Sequence, residues 1–333
     1  MTITGGRVKA KERKRLRAAC EAMAAKNPNL QRRQGESAEE SARSIESEIA
    51  GFLGAVLKDR ENVYESAEKA LQPHMMLFDV ALLQVFDMSN FGFQHAGGRT
   101  RMIWPGVLLP KRPRPNDVFY VLTSNLAHAM QAFRLLLLHG FESQARAAFR
   151  SVVEIADLMI MVLANQETYR AYVTSFEDQK ASYQHWKRHL SPALMRASLS
   201  RLEAADPIAL PIDMTSDDLR KDNYAWLSRF VHVDYAAHVV AAHPSDADGN
   251  SRRLAMLGNV GEISKATLAH SLVYLWISML RIEKLLFEKH GWDRLRGSRS
   301  RHWFLYRART LDALFAAYLP RFWELDPPHG LDG

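Results

Sequence analysis

One stretch constrains what this chain can fold into. Glu142 to Ala164, ESQARAAFRSVVEIADLMIMVLA, is apolar on nearly every side of a helical projection, yet Arg146, Arg150, Glu154 and Asp157 interrupt it. A helix that is apolar all round is a buried helix. Charges are not buried without partners. The rest of the chain must therefore wrap this helix and supply polar groups to answer those four.

The chain of 333 residues, 47% hydrophobic and 24% charged, is long enough for one large or two medium domains with a sizeable core. A single cysteine, Cys20, excludes an internal disulfide framework and points to a reducing compartment. The charged N-terminus lacks the apolar run of a secretory signal. The longest apolar run, Val152 to Ala164, is too short for a membrane span and carries Glu154 and Asp157. A cytoplasmic protein without a membrane partner is expected.

Charge is unevenly placed. Residues 1–34 hold ten Lys/Arg against Glu12 and Glu21, so this arm carries more than the whole +7 of the chain. Residues 7–26 are rich in helix formers, and Asn27-Pro28-Asn29 ends them. The arm is a candidate contact for RNA or DNA phosphates. The alternatives are a solvated terminus, or docking onto the acidic segment 36–72, where Glu36, Glu39, Glu40, Glu46 and Glu48 gather. No aromatic interleaves the arm, so base stacking is not indicated there.

The body reads as helices throughout. An amphipathic helix carries Ile45, Ile49, Phe52, Leu53 and Val56, and a second from about Asn62 runs into Pro73. A third follows from Met75 to Met88. Residues 89–116 are punctuated by Gly, Pro and Asn and read as a long crossover or lid. Residues 117–139 form a helix capped by Asn116 or Asp117, with a polar seam of Ser124 or Asn125, His128, Gln131 and Arg134. His139-Gly140 closes it, so this helix and the opening one form an antiparallel hairpin. Further helices are expected at 166–189, 192–204, from Thr215 or Ser216 onward, at 261–290 and at about 302–319. Ser245 to Arg252 predicts either a small β-hairpin or an irregular excursion. The fold class is all-α, an up-and-down helical bundle with a basic N-terminal helical extension. Its expected parts are the arm 1–34, helices and crossover 35–116, the core bundle 117–290 and a C-terminal basic and aromatic segment 291–333.

Three constellations carry chemistry. Arg150 and Glu154 stand at i,i+4 on one helix face, with Arg146 one turn earlier. They make either an anion-holding fork with a tuned carboxylate or a structural ion pair. The second set is Ser228, His232, Asp234, His238 and His243. A Ser/His/Asp nucleophile is one reading, but groups so near in one segment rarely align as a triad. A metal is another, although no HExxH or ExxH pattern accompanies them and no Cys/His zinc spacing occurs. The remaining reading is a structural histidine at a helix end. No cofactor or metal is expected. The third constellation is Arg134-x4-His139, with Arg296-x5-His302.

These residues carry two resemblances. The spacings of Arg134 with His139 and of Arg296 with His302 resemble the R-x4-6-H pattern of HEPN-type helical ribonucleases, in which Arg and His act on the scissile phosphate. Here Arg134 is followed by four leucines where that family has a polar residue. The run LLLLHGFESQARAAFRSVVEIADLM, followed later by LSRFVHV, resembles a bacterial all-helical family classed as a domain of unknown function. The pattern is a Gly turn, an Arg-x3-Glu helix and a later Ser-x3-His, at Gly140, Arg150, Glu154, Ser228 and His232, within residues 117–290. That resemblance implies a fold and a shared polar centre, and an association with accessory or defence proteins.

The expectation is thus a polar centre of Arg150, Glu154, Ser228 and His232 that binds a protein partner or an anionic ligand, in a setting of stress or phage defence. A metal-independent ribonuclease and a structural homo-oligomer are the alternatives. Arg150 and Glu154 should meet either the seam of Asn125, His128 and Gln131 or the pair Ser228 and His232.

Overall fold

The structure, a computed structural model, describes residues 38–72, 74–96, 103–104, 115–174, 176–210, 214–231, 258, 260–292 and 309–318, with isolated positions before residue 23. Every regular element among them is helical. The expected β-hairpin at Ser245–Arg252 lies outside the described residues, as do most of the basic arm and Arg296 and His302. The chain divides into two compact units, Met1–Asn62 and Val63–Gly333.

In chain order the helices are α1 (Ala38–Ala70), α2 (His74–Ala96), α3 (Pro115–Leu138), α4 (Glu142–Ala164) and α5 (Gln166–Val173). They continue as α6 (Gln179–His189), α7 (Pro192–Ala205), α8 (Ser216–Val231) and α9 (Glu262–Glu288), and a last helix, α10, covers residues 309–318. No described helix is long and apolar enough to cross a membrane.

Helices α2 and α3 pair antiparallel in one constant register. Asp79 meets Arg134, Ser89 meets Ser124 at 2.8 Å, and the rings of Phe93 and Tyr120 lie 5.4 Å apart. Gly140, at φ 71°, turns the chain from α3 into α4, as a glycine at this position does when the left-handed region is needed. Phe149 of α4 then packs on Phe133 of α3, with centroids 4.9 Å apart.

Helix α4 is the axis of the larger unit. Its residues Ala145, Phe149, Val152, Val153, Ala156, Met159, Ile160 and Val162 are almost wholly buried. Helix α8 runs antiparallel to it, since Trp226 faces Arg146 while Arg220 faces Asp157. Helix α9 runs parallel to it, Thr267 lying at Arg146 and Tyr274 at Asp157. Fully burying a large apolar side chain contributes about 1.5–3 kcal/mol. The buried side chains of α4, with those of α9, are therefore a large part of what holds the unit together.

Five expectations need correction. Residues 38–70 are one continuous helix rather than two, because no proline interrupts them before Pro73. Helix α2 runs on to Ala96, past the expected end at Met88. Its Phe91 is buried on Trp292, and Gly92 lets α3 approach so closely that a Cβ there would stand 2.9 Å from Phe119 Cδ1. Helix α3 begins at Pro115, which suits a first helical position, so Asp117 falls in the first turn instead of capping. The helix expected at 166–189 is two, separated where Thr174 bonds Arg170 O and Asp178 caps α6 through the N–H groups of Lys180 and Ala181. In the crossover, Ile103 is fully buried. Trp104 is pinned by its indole N–H to Val162 O at 2.9 Å and its backbone N–H to His290 Nδ1 at 3.0 Å. This part of the connection is a fixed clasp rather than a lid.

Candidate functional site

The charges of α4 fall in one row. Glu142, Arg146, Arg150, Glu154 and Asp157 follow i,i+4 and i,i+3 spacing, so the helix presents them as a single stripe. Helices α7, α8 and α9 cover that stripe and answer it in three successive groups.

At its N-terminal end, Arg146 is 1% exposed. Its Nε donates to Thr267 Oγ1 at 3.0 Å, and its other side pairs with Glu142. Its guanidinium lies 4.0 Å from the ring centroid of Trp226, which stacks on His270 at 4.5 Å. Burial pulls the Arg146 pKa down, and Glu142 opposes that pull. His270 contacts Asn223 Oδ1 at 3.2 Å, and its pKa is lowered to about 4, chiefly by burial. This group explains how an arginine sits in the core: aromatic faces and a carboxylate replace its water.

In the middle stand Arg150 and Glu154, paired at 3.0 Å and part-exposed. Arg150 also donates to the Tyr224 hydroxyl at 3.1 Å, and Arg196 of α7 lies 3.7 Å over the Tyr224 ring.

At the C-terminal end, Asp157 is buried. It accepts the Tyr274 hydroxyl and faces Arg220 at 3.4 Å. Burial pushes the Asp157 carboxyl up while Arg220 and the Tyr274 hydrogen bond oppose it. The Tyr274 phenol is raised well above its ordinary value by burial and by Asp157, so it keeps its proton and donates it. Arg220 bonds Ser278 at 3.1 Å and reaches Glu203 at 3.5 Å. Glu203 in turn holds Arg281 and Ser216, each at 2.5 Å. Arg281 is fully buried and closes onto Asp206 at 2.8 Å.

A small cleft of about 30 Å³ lies along the middle and C-terminal groups. Its lining includes Asp157, Arg196, Ser200, Asp217, Arg220, Lys221, Tyr224 and Tyr274. The two acids are engaged: Asp157 as described, and Asp217 by Ser200 at 2.5 Å and Lys221 at 2.6 Å. The arginines are not fully engaged. One terminal nitrogen each of Arg196 and Arg220 is buried and donates no hydrogen bond, and Arg220 Nε has only its 3.5 Å ion-pair contact with Glu203. Buried donors without acceptors are uncommon enough to need a reason.

The expected site residues fare unequally. Arg150 and Glu154 come together as a pair and stand beside the cleft, bonded to Tyr224 of its wall. They do not meet the seam on α3: His128 and Asn125 are exposed, Gln131 bonds Ala127 O of its own helix, and Ser124 and Arg134 turn to α2. Ser228 lies in the last turn of α8, one turn beyond Tyr224, with its side chain outside the described residues, and His232 lies outside them altogether. Arg134 and His139 both approach Tyr64, whose ring lies 5.5 Å from the imidazole, but Asp79 holds both prongs of Arg134 at 2.6 and 2.9 Å. Sequence reasoning missed Arg196, Arg220, Tyr224 and Tyr274. A usable signal existed for two of them, since Arg220 and Tyr224 are i,i+4 on one helix.

Among the described residues no three His, Cys, Asp or Glu side chains converge as a metal site would require. What fold and site together define is a class: an all-α helical protein whose central helix carries a row of charges into a partly open cleft. Compared with family profiles, with curated proteins and with solved structures, the chain matches none.

Proposed function

We propose that this chain binds a small oxyanion, the phosphate or carboxylate group of a ligand, in the cleft between α4, α7, α8 and α9. One observation carries the reading. Arg196 and Arg220 line the same cleft and keep buried guanidinium donors without acceptors, while the acids beside them are already bonded. An oxyanion supplies the missing acceptors, and arginine's planar fork suits phosphate and carboxylate. Lys221, exposed at the mouth, pairs with Asp217 and so offsets the negative charge that would oppose an anion. Among the described lining residues there is neither histidine nor cysteine, and Tyr274 holds its proton. Binding, rather than proton transfer, is the chemistry this arrangement supports.

The test is calorimetry and thermal unfolding with inorganic phosphate against chloride at matched ionic strength. Phosphate should raise the melting temperature saturably. Arg196→Gln, which leaves the buried Arg220 network intact, should weaken the effect at least tenfold, the scale of one charge-assisted bond of about 1.5–3 kcal/mol. No saturable effect, or an equal one in Arg196→Gln and Lys221→Gln, overturns the reading.

A further inference from the structure

Helix α6 is unlike the others: none of its residues is buried, yet it is rich in aromatic rings. Tyr183 is 59% exposed and Trp186 42%, and the two stack on each other at 5.8 Å and 27°. On the neighbouring side Phe176, itself 41% exposed, lies 4.8 Å from the ring of His185, which lies 4.7 Å from that of His189. His185 is half-buried and tied to Ala171 O at 2.9 Å, but core packing does not explain Tyr183, Trp186 or Phe176. Contiguous exposed apolar surface on a folded chain marks an interaction site.

The charge around the rings narrows the partner. Lys180, Lys187 and Arg188 are all exposed, and Gln179–His189 contains no acid. Of the two acids just before the helix, Asp178 is occupied in capping it and Glu177 is exposed. At 100° per residue, Lys180, Tyr183, Trp186 and Lys187 share about a third of the helix circumference. Flat exposed rings interleaved with unpaired cations form the arrangement that meets unstacked bases and their phosphates together. Aromatic rings and Arg188 would also suit a protein partner, but the exposed Lys180 and Lys187 would not, since lysine is depleted at such interfaces.

We infer that α6 is a docking platform for single-stranded nucleic acid, with bases stacking on Tyr183 and Trp186 and phosphates paired to Lys180, Lys187 and Arg188. None of its residues lines the oxyanion cleft.

The experiment is fluorescence anisotropy of labelled fifteen-nucleotide U and T strands and a fifteen-base-pair duplex with the full chain, across a salt series. The single strands should bind at least tenfold more tightly than the duplex. The double substitution Tyr183→Ala with Trp186→Ala should cut single-strand affinity tenfold or more at an unchanged salt slope. Lys187→Ala with Arg188→Ala should instead reduce the slope, because counterion release scales with phosphate contacts. All four side chains are exposed, so unchanged melting temperatures are expected and checked. The U and T arms decide whether RNA or DNA is preferred. Absent binding, equal binding by the duplex, or binding that survives both double substitutions overturns the inference. So does a concentration-dependent self-association lost in the aromatic variant while oligonucleotides fail to bind.

Discussion

Arg150 and Tyr224 are joined across the helix interface: the guanidinium that holds Glu154 at 3.0 Å also donates to the tyrosine hydroxyl at 3.1 Å. The same ring carries Arg196 on its face. Tyr224 thus aligns a cation of the cleft through its π-system and a half-buried ion pair through its oxygen.

Separating those two roles gives the first prediction. Tyr224→Phe keeps the face under Arg196 and loses only the Arg150 bond, so stability should fall by about 0.5–1.5 kcal/mol. Phosphate affinity should stay near that of the wild type. Tyr224→Leu also loses the cation–π contact, about a further 0.5–1 kcal/mol, and frees Arg196 to sample other rotamers. Its phosphate affinity should drop clearly. Urea unfolding and the phosphate-dependent melting shift report both quantities; equal affinity in Phe and Leu variants would remove Tyr224 from the site.

The contrast between Arg150 and Arg220 shows how far the sequence could be read. Periodicity alone identified α4 as buried and all-α as the class, because an apolar helix with four charges admits few environments. It also placed Gly140 at a helix end, where φ is 71°. Which charges are buried was not legible. The resemblance favoured Arg150 and Glu154, yet Arg146 and Asp157 are the deeply buried members. Their position depends on Trp226, Arg220 and Tyr274, supplied from 63 to 117 residues away. Local spacing carries no information about pairing at that range. The break between α5 and α6 was hidden for a different reason: Thr174 and Asp178 end and start helices through side-chain bonds that mimic an uninterrupted polar surface in the sequence.

A second prediction concerns Glu203 and Arg281, both almost without exposure. Arg281→Met leaves Glu203 buried with its main partner gone and should cost about 3–5 kcal/mol. Replacing both, as Glu203→Leu with Arg281→Met, removes the stranded charge and should recover more than half of that loss. Urea unfolding of the two single variants and the double variant measures the coupling. Additive losses would show that the pair is not a unit.

Acid should unfold this protein through its histidines. His290 accepts the Trp104 backbone N–H at Nδ1 and contacts Leu163 O through Nε2 at 2.8 Å, an arrangement that requires the neutral ring. Burial lowers its pKa to about 4, as it does for His270. A histidine whose folded pKa lies below its unfolded value binds fewer protons when folded. Stability is therefore intact above pH 6.5 and is lost as pH falls from 6.5 towards 4. Each such displacement corresponds to on the order of 3 kcal/mol. Melting temperatures at pH 7, 5.5 and 4.5 should decline steadily, and His290→Gln, which cannot titrate, should flatten the decline. An unaltered slope in that variant would place the acid sensitivity elsewhere.

One substitution, glycine to alanine, should change sign along the chain, and the reason is local geometry. At Gly258 the backbone has φ 114°, and a Cβ would stand 2.2 Å from the carbonyl oxygen of His139, a backbone atom that cannot step aside. Strain and overlap act together there, so Gly258→Ala should cost at least about 2 kcal/mol. At Gly92 the nearest atom is Cδ1 of Phe119, at 2.9 Å, and a ring can shift; overpacking of about 1–3 kcal/mol is expected. Gly51, inside α1, has nothing within 4 Å of an added Cβ. Alanine there gains helix propensity of about 0.8–1 kcal/mol and should stabilise that helix. Circular dichroism melts of the three variants test the order. If Gly258→Ala proved neutral, the close approach of residue 258 to the α3–α4 turn would be wrong, and with it the way that turn is held against the bundle.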